Sequence, residues 1–152
     1  GHFFFRQPIG LGYDCGLTAA KAILEMLDRN PGKSMADLKG ELEVAYTSLT
    51  MSPHCEDEIK YDVLERIVAE YKALEGGEIL GRKIVEINTV NGVRVTLEDG
   101  SWVLVRASSN KPELVVVVES MQSEDDMRAL FREEVKPRLA SYDEIGKYNQ
   151  EI

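Results

Sequence analysis

Apolar residues at helical spacing open and close this chain, and apolar residues at strand spacing fill its middle. From Asp14 onward, Leu17, Ala20, Leu24 and Leu27 fall on one face with Ile23 beside them. That spacing predicts a helix capped by Asp14 and stopped by Asn30-Pro31-Gly32. Ser34 and Asp37 make a capping-box-like start for a short second helix with Leu38 and Leu42 inward. Val44 to Pro53 reads as a strand of ragged alternation. Glu56 to Glu75 is the longest predicted helix, with Ile59, Val63, Leu64, Ile67, Val68 and Tyr71 on a broad apolar face and Gly76-Gly77 at its end.

A three-strand meander follows. Asp99-Gly100 predicts a two-residue hairpin turn that pairs Leu97 with Trp102, Val95 with Leu104 and Val93 with Arg106 on one face. Arg106 would then lie on the rim of the apolar face. For the preceding turn, a three-residue loop from Val90 to a left-handed Gly92 sets Ile87 opposite Val95 and Val85 opposite Leu97. A two-residue turn at Asn91-Gly92 would reverse that pattern, so the apolar residues favour the longer loop. Leu114 to Val118 is apolar on both faces, as in a covered central strand. Ser123-Glu124-Asp125-Asp126 opens a final helix with Met127, Leu130, Phe131 and Val135 inward, which Pro137 should kink or end. The tail from Ser141 is polar and reads as loosely held, with Tyr142, Ile145 and Tyr148 able to dock.

This order predicts an α+β domain over residues 44–152: an antiparallel sheet of four to five strands with two helices on one face. Residues 1–43 hold two helices with nothing to close them into a core, so they read as the trailing edge of a truncated domain. The chain opens on Gly1-His2-Phe3-Phe4-Phe5 without a methionine, which points to a piece of a longer chain or the end of a tag.

Composition narrows the function classes. The formal net charge of the 152 residues is -9, which argues against a nucleic-acid partner, since that demands a basic face. No apolar run approaches a membrane span. Cys15 and Cys55 lie far apart without CxxC spacing, and a reduced, cytoplasmic setting is the simple expectation. Cys15 reads as a packing residue. His54-Cys55-Glu56 are adjacent in sequence and point apart, a poor metal set. Glu124-Asp125-Asp126 suits a helix start.

Against that acidic background, the stretch Trp102-Val-Leu-Val-Arg106-Ala-Ser108-Ser109-Asn110-Lys111-Pro112 is a local cationic exception. A strand gives way to a loop that collects a guanidinium, two hydroxyls, an amide, an ammonium and free backbone N–H groups. Pro112 fixes the exit direction. Such a set holds an oxyanion, phosphate above all. The same residues also fit a solvated turn between two strands.

This stretch resembles the phosphate-binding loop of the α-D-phosphohexomutase family, whose pattern is Trp, then Arg, Ala or Pro, Ser, Gly or Asn, Thr, a variable residue and Pro. Gly1-His2 resembles the end of that family's sugar-binding motif, Glu-x-Ser-Gly-His, and the helix after Asp14-Cys15-Gly16 resembles the segment that follows it. The resemblance implies the end of a third, sugar-binding domain over residues 1–43 and a fourth, TATA-box-binding-protein-like domain over 44–152. It implies phosphomannomutase or phosphoglucomutase chemistry, in which phosphate moves between the 1- and 6-positions of a hexose through a bisphosphorylated sugar, with a phosphoserine and Mg2+. By position, Arg106 would pair with the non-reacting phosphate, Ser108 would donate its hydroxyl, and Ser109 would offer N–H and hydroxyl. Asn110 stands where the family has Thr. His2 would lie near the sugar as a catalytic residue. The phosphoserine and magnesium ligands are not in this chain, so the implied partners are a hexose phosphate and the remaining domains, and the fragment alone should be inactive. The rival classes are a stand-alone module binding a phosphorylated ligand and a structural interaction domain with a polar loop.

Overall fold

The computed structural model describes residues 2–152. Its packing divides the chain into two compact units, Gly1–Glu43 and Val44–Ile152.

The first unit carries α1 (Gly16–Asp28) and α2 (Met35–Gly40). Asp14 does not cap α1: the cap position is Cys15, which makes no side-chain capping bond. Asp14 stands one residue too early and is already engaged. Its carboxylate accepts from the Phe3 N–H (3.2 Å) and bonds His2 Nδ1. The capping box of α2 forms as read. The Asp37 N–H donates to Ser34 Oγ (3.2 Å) and the Ser34 N–H donates to Asp37 Oδ2 (2.7 Å). Neither helix fully buries a side chain; Leu17 is 84% exposed and Leu24 67%.

The second unit is α+β: one antiparallel sheet in the order β1-β6-β5-β4-β3-β2, with helices on one face. Its strands are β1 (Tyr46–Thr47), β2 (Glu78–Ile79), β3 (Arg82–Asn88), β4 (Val93–Leu97), β5 (Trp102–Ala107) and β6 (Leu114–Ser120). Six strands exceed the expected four to five because β2 is a two-residue edge. The expected strand Val44 to Pro53 shrinks to β1 and isolated bridges at Met51, Pro53 and His54. Ser48 and Met51 donate to the Val118 and Val116 carbonyls (both 2.9 Å), so three residues on this segment span two on β6. The extra residue bulges, which explains the ragged alternation.

The register of the β4–β5 hairpin differs from expectation by one residue. Thr96 faces Trp102, Val95 faces Val103, Arg94 faces Leu104 and Val93 faces Val105. The turn has three residues, not two: the Leu97 N–H donates to the Ser101 carbonyl (2.8 Å), and Gly100 takes φ +86°. A one-residue slip reverses every side chain. Val103, Val105 and Ala107 therefore face the helices and are buried, while Trp102, Leu104 and Arg106 occupy the opposite, helix-free face and are half-buried. In the β3–β4 hairpin, Ile87 does face Val95 and Gly92 is left-handed at φ +79°. A bulge between Ile84 and Glu86 then puts Ile84 opposite Leu97 and leaves Val85 exposed.

Helix α3 (Lys60–Lys72) and a second helical run cover the sheet. That run begins as α4 (Glu124–Ala129), widens to a π-helix over Leu130–Val135 and ends as α5 (Lys136–Leu139). Pro137 does not end the run, which continues to Leu139; it falls in the first turn of α5, where a missing N–H is tolerated. The core joins Val93, Val95, Leu97, Val105, Leu114, Val116 and Val118 of the sheet to Val63, Ile67, Tyr71, Leu130, Phe131 and Val135 of the helices. The tail is not loose. Gly146 donates to the His54 carbonyl (2.8 Å) and Asn149 to that of Ser52 (3.0 Å), while the Tyr148 ring meets Phe131 edge-on at 5.6 Å.

Candidate phosphate-binding site

The loop between β5 and β6 is built by the register just described. β5 delivers Arg106 on the helix-free face, and Ala107 turns inward. The chain then bends through Ser108 to Pro112 and re-enters the sheet at Leu114. The Ser108 N–H closes the bend on the Glu113 carbonyl (3.0 Å), and the Glu113 N–H donates to the Lys111 carbonyl (2.8 Å). The exit is tied as well: Cys55 donates to the Pro112 carbonyl (3.0 Å).

Arg106 folds over its own strand end, donating from Nη1 to the Ala107 carbonyl at 3.1 Å. Its backbone is hemmed in from the neighbouring hairpin. A Cβ placed on Gly92 would lie 2.7 Å from Arg106 Cα and nearer still to the Val105 carbonyl oxygen. Only glycine combines this closeness with φ +79°. Ser108 is buried, and its hydroxyl donates to Asn110 Oδ1 at 3.3 Å. Ser109, Asn110 and Lys111 are exposed. Their three backbone N–H groups have no hydrogen-bond acceptor among the described residues. Lys111 Nζ stands 3.9 Å from Glu113 Oε1, a weak exposed pair.

Beneath the loop lies a residue that sequence reading passed over. Lys60, the first residue of α3, is only 3% exposed. Its ammonium donates to Asp57 Oδ1 (2.5 Å), to the Ser108 carbonyl (2.7 Å) and to the Lys111 carbonyl (2.9 Å). Three donors meet three acceptors, which makes a buried ammonium tolerable. The signal was present in the sequence: Lys60 precedes Val63, Leu64 and Ile67 by three, four and seven positions, placing a cation on the apolar stripe of the helix. Nearby, burial pushes the Cys55 thiol up from its ordinary value, against any role as a nucleophile.

The structure thus brings Arg106, Ser108, Ser109 and Asn110 into one bend, although the Ser108 hydroxyl is committed to Asn110. His2 belongs to the other unit. Its exposed ring bonds Asp14 through Nδ1, which leaves Nε2 as the free nitrogen. No group of three or more His, Cys, Asp or Glu side chains among the described residues could hold a metal ion. Among the described residues, no helix is long and apolar enough to cross a membrane.

Comparison with known proteins places this geometry. Residues 54–136 match the family model described as phosphoglucomutase/phosphomannomutase, C-terminal domain. A probable phosphoglucosamine mutase of Methanothermobacter thermautotrophicus is 32% identical over 110 residues, covering 72% of this chain and 22% of that protein. A phosphomannomutase/phosphoglucomutase of Pseudomonas aeruginosa is 27% identical over 141 residues, covering 90% of this chain and 27% of that protein. In three dimensions, a phosphoglucomutase/phosphomannomutase family protein of Burkholderia thailandensis aligns over 93% of this chain and 26% of its own, with a TM-score of 0.66 and 23% identity, a likeness of fold. The chain spans only about a quarter of the length of these relatives. The family model runs from the bridge residue His54, through the loop, to the start of α5, more than half of the sequence, and the chain belongs to the phosphoglucomutase/phosphomannomutase family, whose C-terminal domain it contains.

Proposed function

We propose that this chain is the substrate-phosphate-gripping part of a phosphohexomutase, an intramolecular phosphotransferase that interconverts hexose 1-phosphate and 6-phosphate through a bisphosphorylated sugar. One observation carries the reading: a bend tied down by Lys60 gathers a guanidinium, an amide and three N–H groups without an acceptor among the described residues, in an acidic protein. The guanidinium fork of Arg106 matches two phosphate oxygens. Ser109 and Asn110 add N–H donors, and Asn110 can release the Ser108 hydroxyl by rotating its amide toward the anion.

Residues 1–43 are read as the end of the sugar-binding domain, in keeping with a Pseudomonas aeruginosa match that extends over 90% of the chain. His2, steered by Asp14, then positions a sugar hydroxyl or assists proton transfer. The phosphoserine and the magnesium ligands would come from other domains, so the 152 residues by themselves bind but do not turn over, in a cytoplasmic enzyme. The names of the relatives include a phosphopentomutase as well as hexosamine and hexose enzymes, which suits a loop that grips the phosphate and ignores the sugar.

The test is a titration of the chain with glucose 6-phosphate and mannose 6-phosphate, followed by backbone NMR. Shifts should cluster at Arg106 to Lys111, with a Kd in the millimolar range because one loop supplies few contacts. They should vanish in Arg106→Ala. Shifts scattered elsewhere, or unchanged in that variant, reject the assignment and leave a structural module.

A further inference from the structure

We propose that Lys60 is the positioning residue of the anion loop: by holding the Ser108 and Lys111 carbonyls inward, its ammonium aims the Ser109 N–H outward at the bound phosphate. The proposal rests on the phosphate reading of the loop.

The argument starts from the peptide unit. In a trans peptide the C=O and the following N–H point in opposite directions. Gln7-Pro8 is the one cis bond among the described residues, so Ser108-Ser109 is trans. The Ser108 carbonyl is pinned 2.7 Å from the buried Lys60 Nζ. The Ser109 N–H, sharing that peptide plane, must therefore face away from the core. The second pinned carbonyl, at Lys111, belongs to a peptide whose partner is Pro112 and has no N–H to aim. It fixes the far end of the bend instead. The clamp thus spans the whole turn and orients one donor.

Lys60 cannot reach an anion itself, because all three of its donors are spent on Asp57, Ser108 and Lys111. Its role runs through the backbone. A neutral side chain there would leave the buried Ser108 carbonyl without a donor and the Lys111 carbonyl with the Glu113 N–H alone, and the bend would rotate to expose the Ser108 carbonyl to water. In doing so it would turn the Ser109 N–H off the anion.

The experiment uses the 152-residue chain with inorganic phosphate as probe. It compares wild type, Lys60→Met, Lys60→Arg and Arg106→Ala by Kd and by the Ser109 amide resonance. Lys60→Met is expected to weaken phosphate binding about tenfold and to abolish the Ser109 shift. Lys60→Arg, which keeps the charge and can reach both carbonyls, is expected to restore most of the Ser109 response. Wild-type affinity with a wild-type Ser109 shift in Lys60→Met overturns the proposal and leaves Lys60 as a fold residue. Phosphate binding unaffected by Arg106→Ala instead rejects the phosphate reading, and the proposal with it. Should Lys60→Met not fold, the wild-type chain supplies the readout. The Lys60 ammonium protons should be visible as slowly exchanging signals that move with the Ser109 amide on adding phosphate, and their failure to move overturns the clamp.

Discussion

Gly92→Ala should be among the most damaging single-methyl additions in the second unit, and the structure allows its two costs to be separated. The first is conformational. Gly92 sits at φ +79°, where an L side chain costs about 1 kcal/mol. The second is steric. The new methyl would stand 2.7 Å from both Cα and Cβ of Arg106, against backbone that β4 and β6 hold from either side. β5 cannot retreat, so the turn must lift and loosen the pairing at the start of β4. An overpacking and ladder cost of about 2 kcal/mol follows. Gly81 is the matched control. It has φ +75°, and an added Cβ would meet nothing within 4 Å. Gly81→Ala therefore carries the conformational cost alone, and any gain from stiffening the unfolded chain is common to both.

The expected losses are about 3 kcal/mol for Gly92→Ala and about 1 kcal/mol for Gly81→Ala. With a urea slope of about 1.5 kcal/mol/M, the midpoints fall by roughly 2 M and 0.7 M. Trp102, the single tryptophan, lies in β5 and reports the second unit by fluorescence. The same displacement should weaken phosphate binding in Gly92→Ala but not in Gly81→Ala, because the clash falls on Arg106. Losses that agree within about 0.5 kcal/mol would refute the steric argument, since additive errors are of that size.

Asp99 gives a pH test. Burial works against its charge, but hydrogen bonds from Gln122, Arg82 and Ser101 outweigh that and bring its carboxyl down to about 2. A folded-state value below the unfolded one means the stabilisation is complete above about pH 4 and drains as pH falls toward 2, amounting to roughly 2 kcal/mol. Urea melts between pH 5 and 2 should show that slope, and Asp99→Asn should flatten it; an unchanged slope would reject the network. The two thiols should separate in reactivity. Hydrogen bonding with Thr18 lowers Cys15, whereas Cys55 is buried and pushed up. A disulfide reagent at neutral pH should titrate one thiol quickly and the other only on unfolding, and Cys15→Ser should remove the fast phase. Two fast thiols would mean that the Cys55 side of the loop opens readily.

Much of the second unit was legible because its elements are strongly periodic. The apolar face of α3, the two-sided run of β6 and the left-handed Gly92 are local patterns, and the structure repeats them. The cap of α1 was misread because Asp14 is used across the chain by His2 and Phe3. The hairpin register was misread for a different reason. β5 alternates two apolar sets, Trp102 with Leu104 and Val103 with Val105, so either parity satisfies a local pattern. What breaks the tie is the fit of the smaller valines beneath α3 and the π-helix, together with the three-residue turn that Gly100 permits.

The chain's own order of residues was enough to establish an antiparallel sheet with helices, and a cationic bend at Arg106 to Lys111. Periodicity and turn chemistry are properties of neighbours, and neighbours are what a sequence displays. Only the folded arrangement decided that Arg106 lies on the face away from the helices, that Gly92 braces it, and that a lysine 48 positions before Ser108 holds the bend. Those facts arise from contacts between distant segments. They depend on which of two apolar faces packs better and where a buried charge can find three acceptors, and no local pattern encodes either.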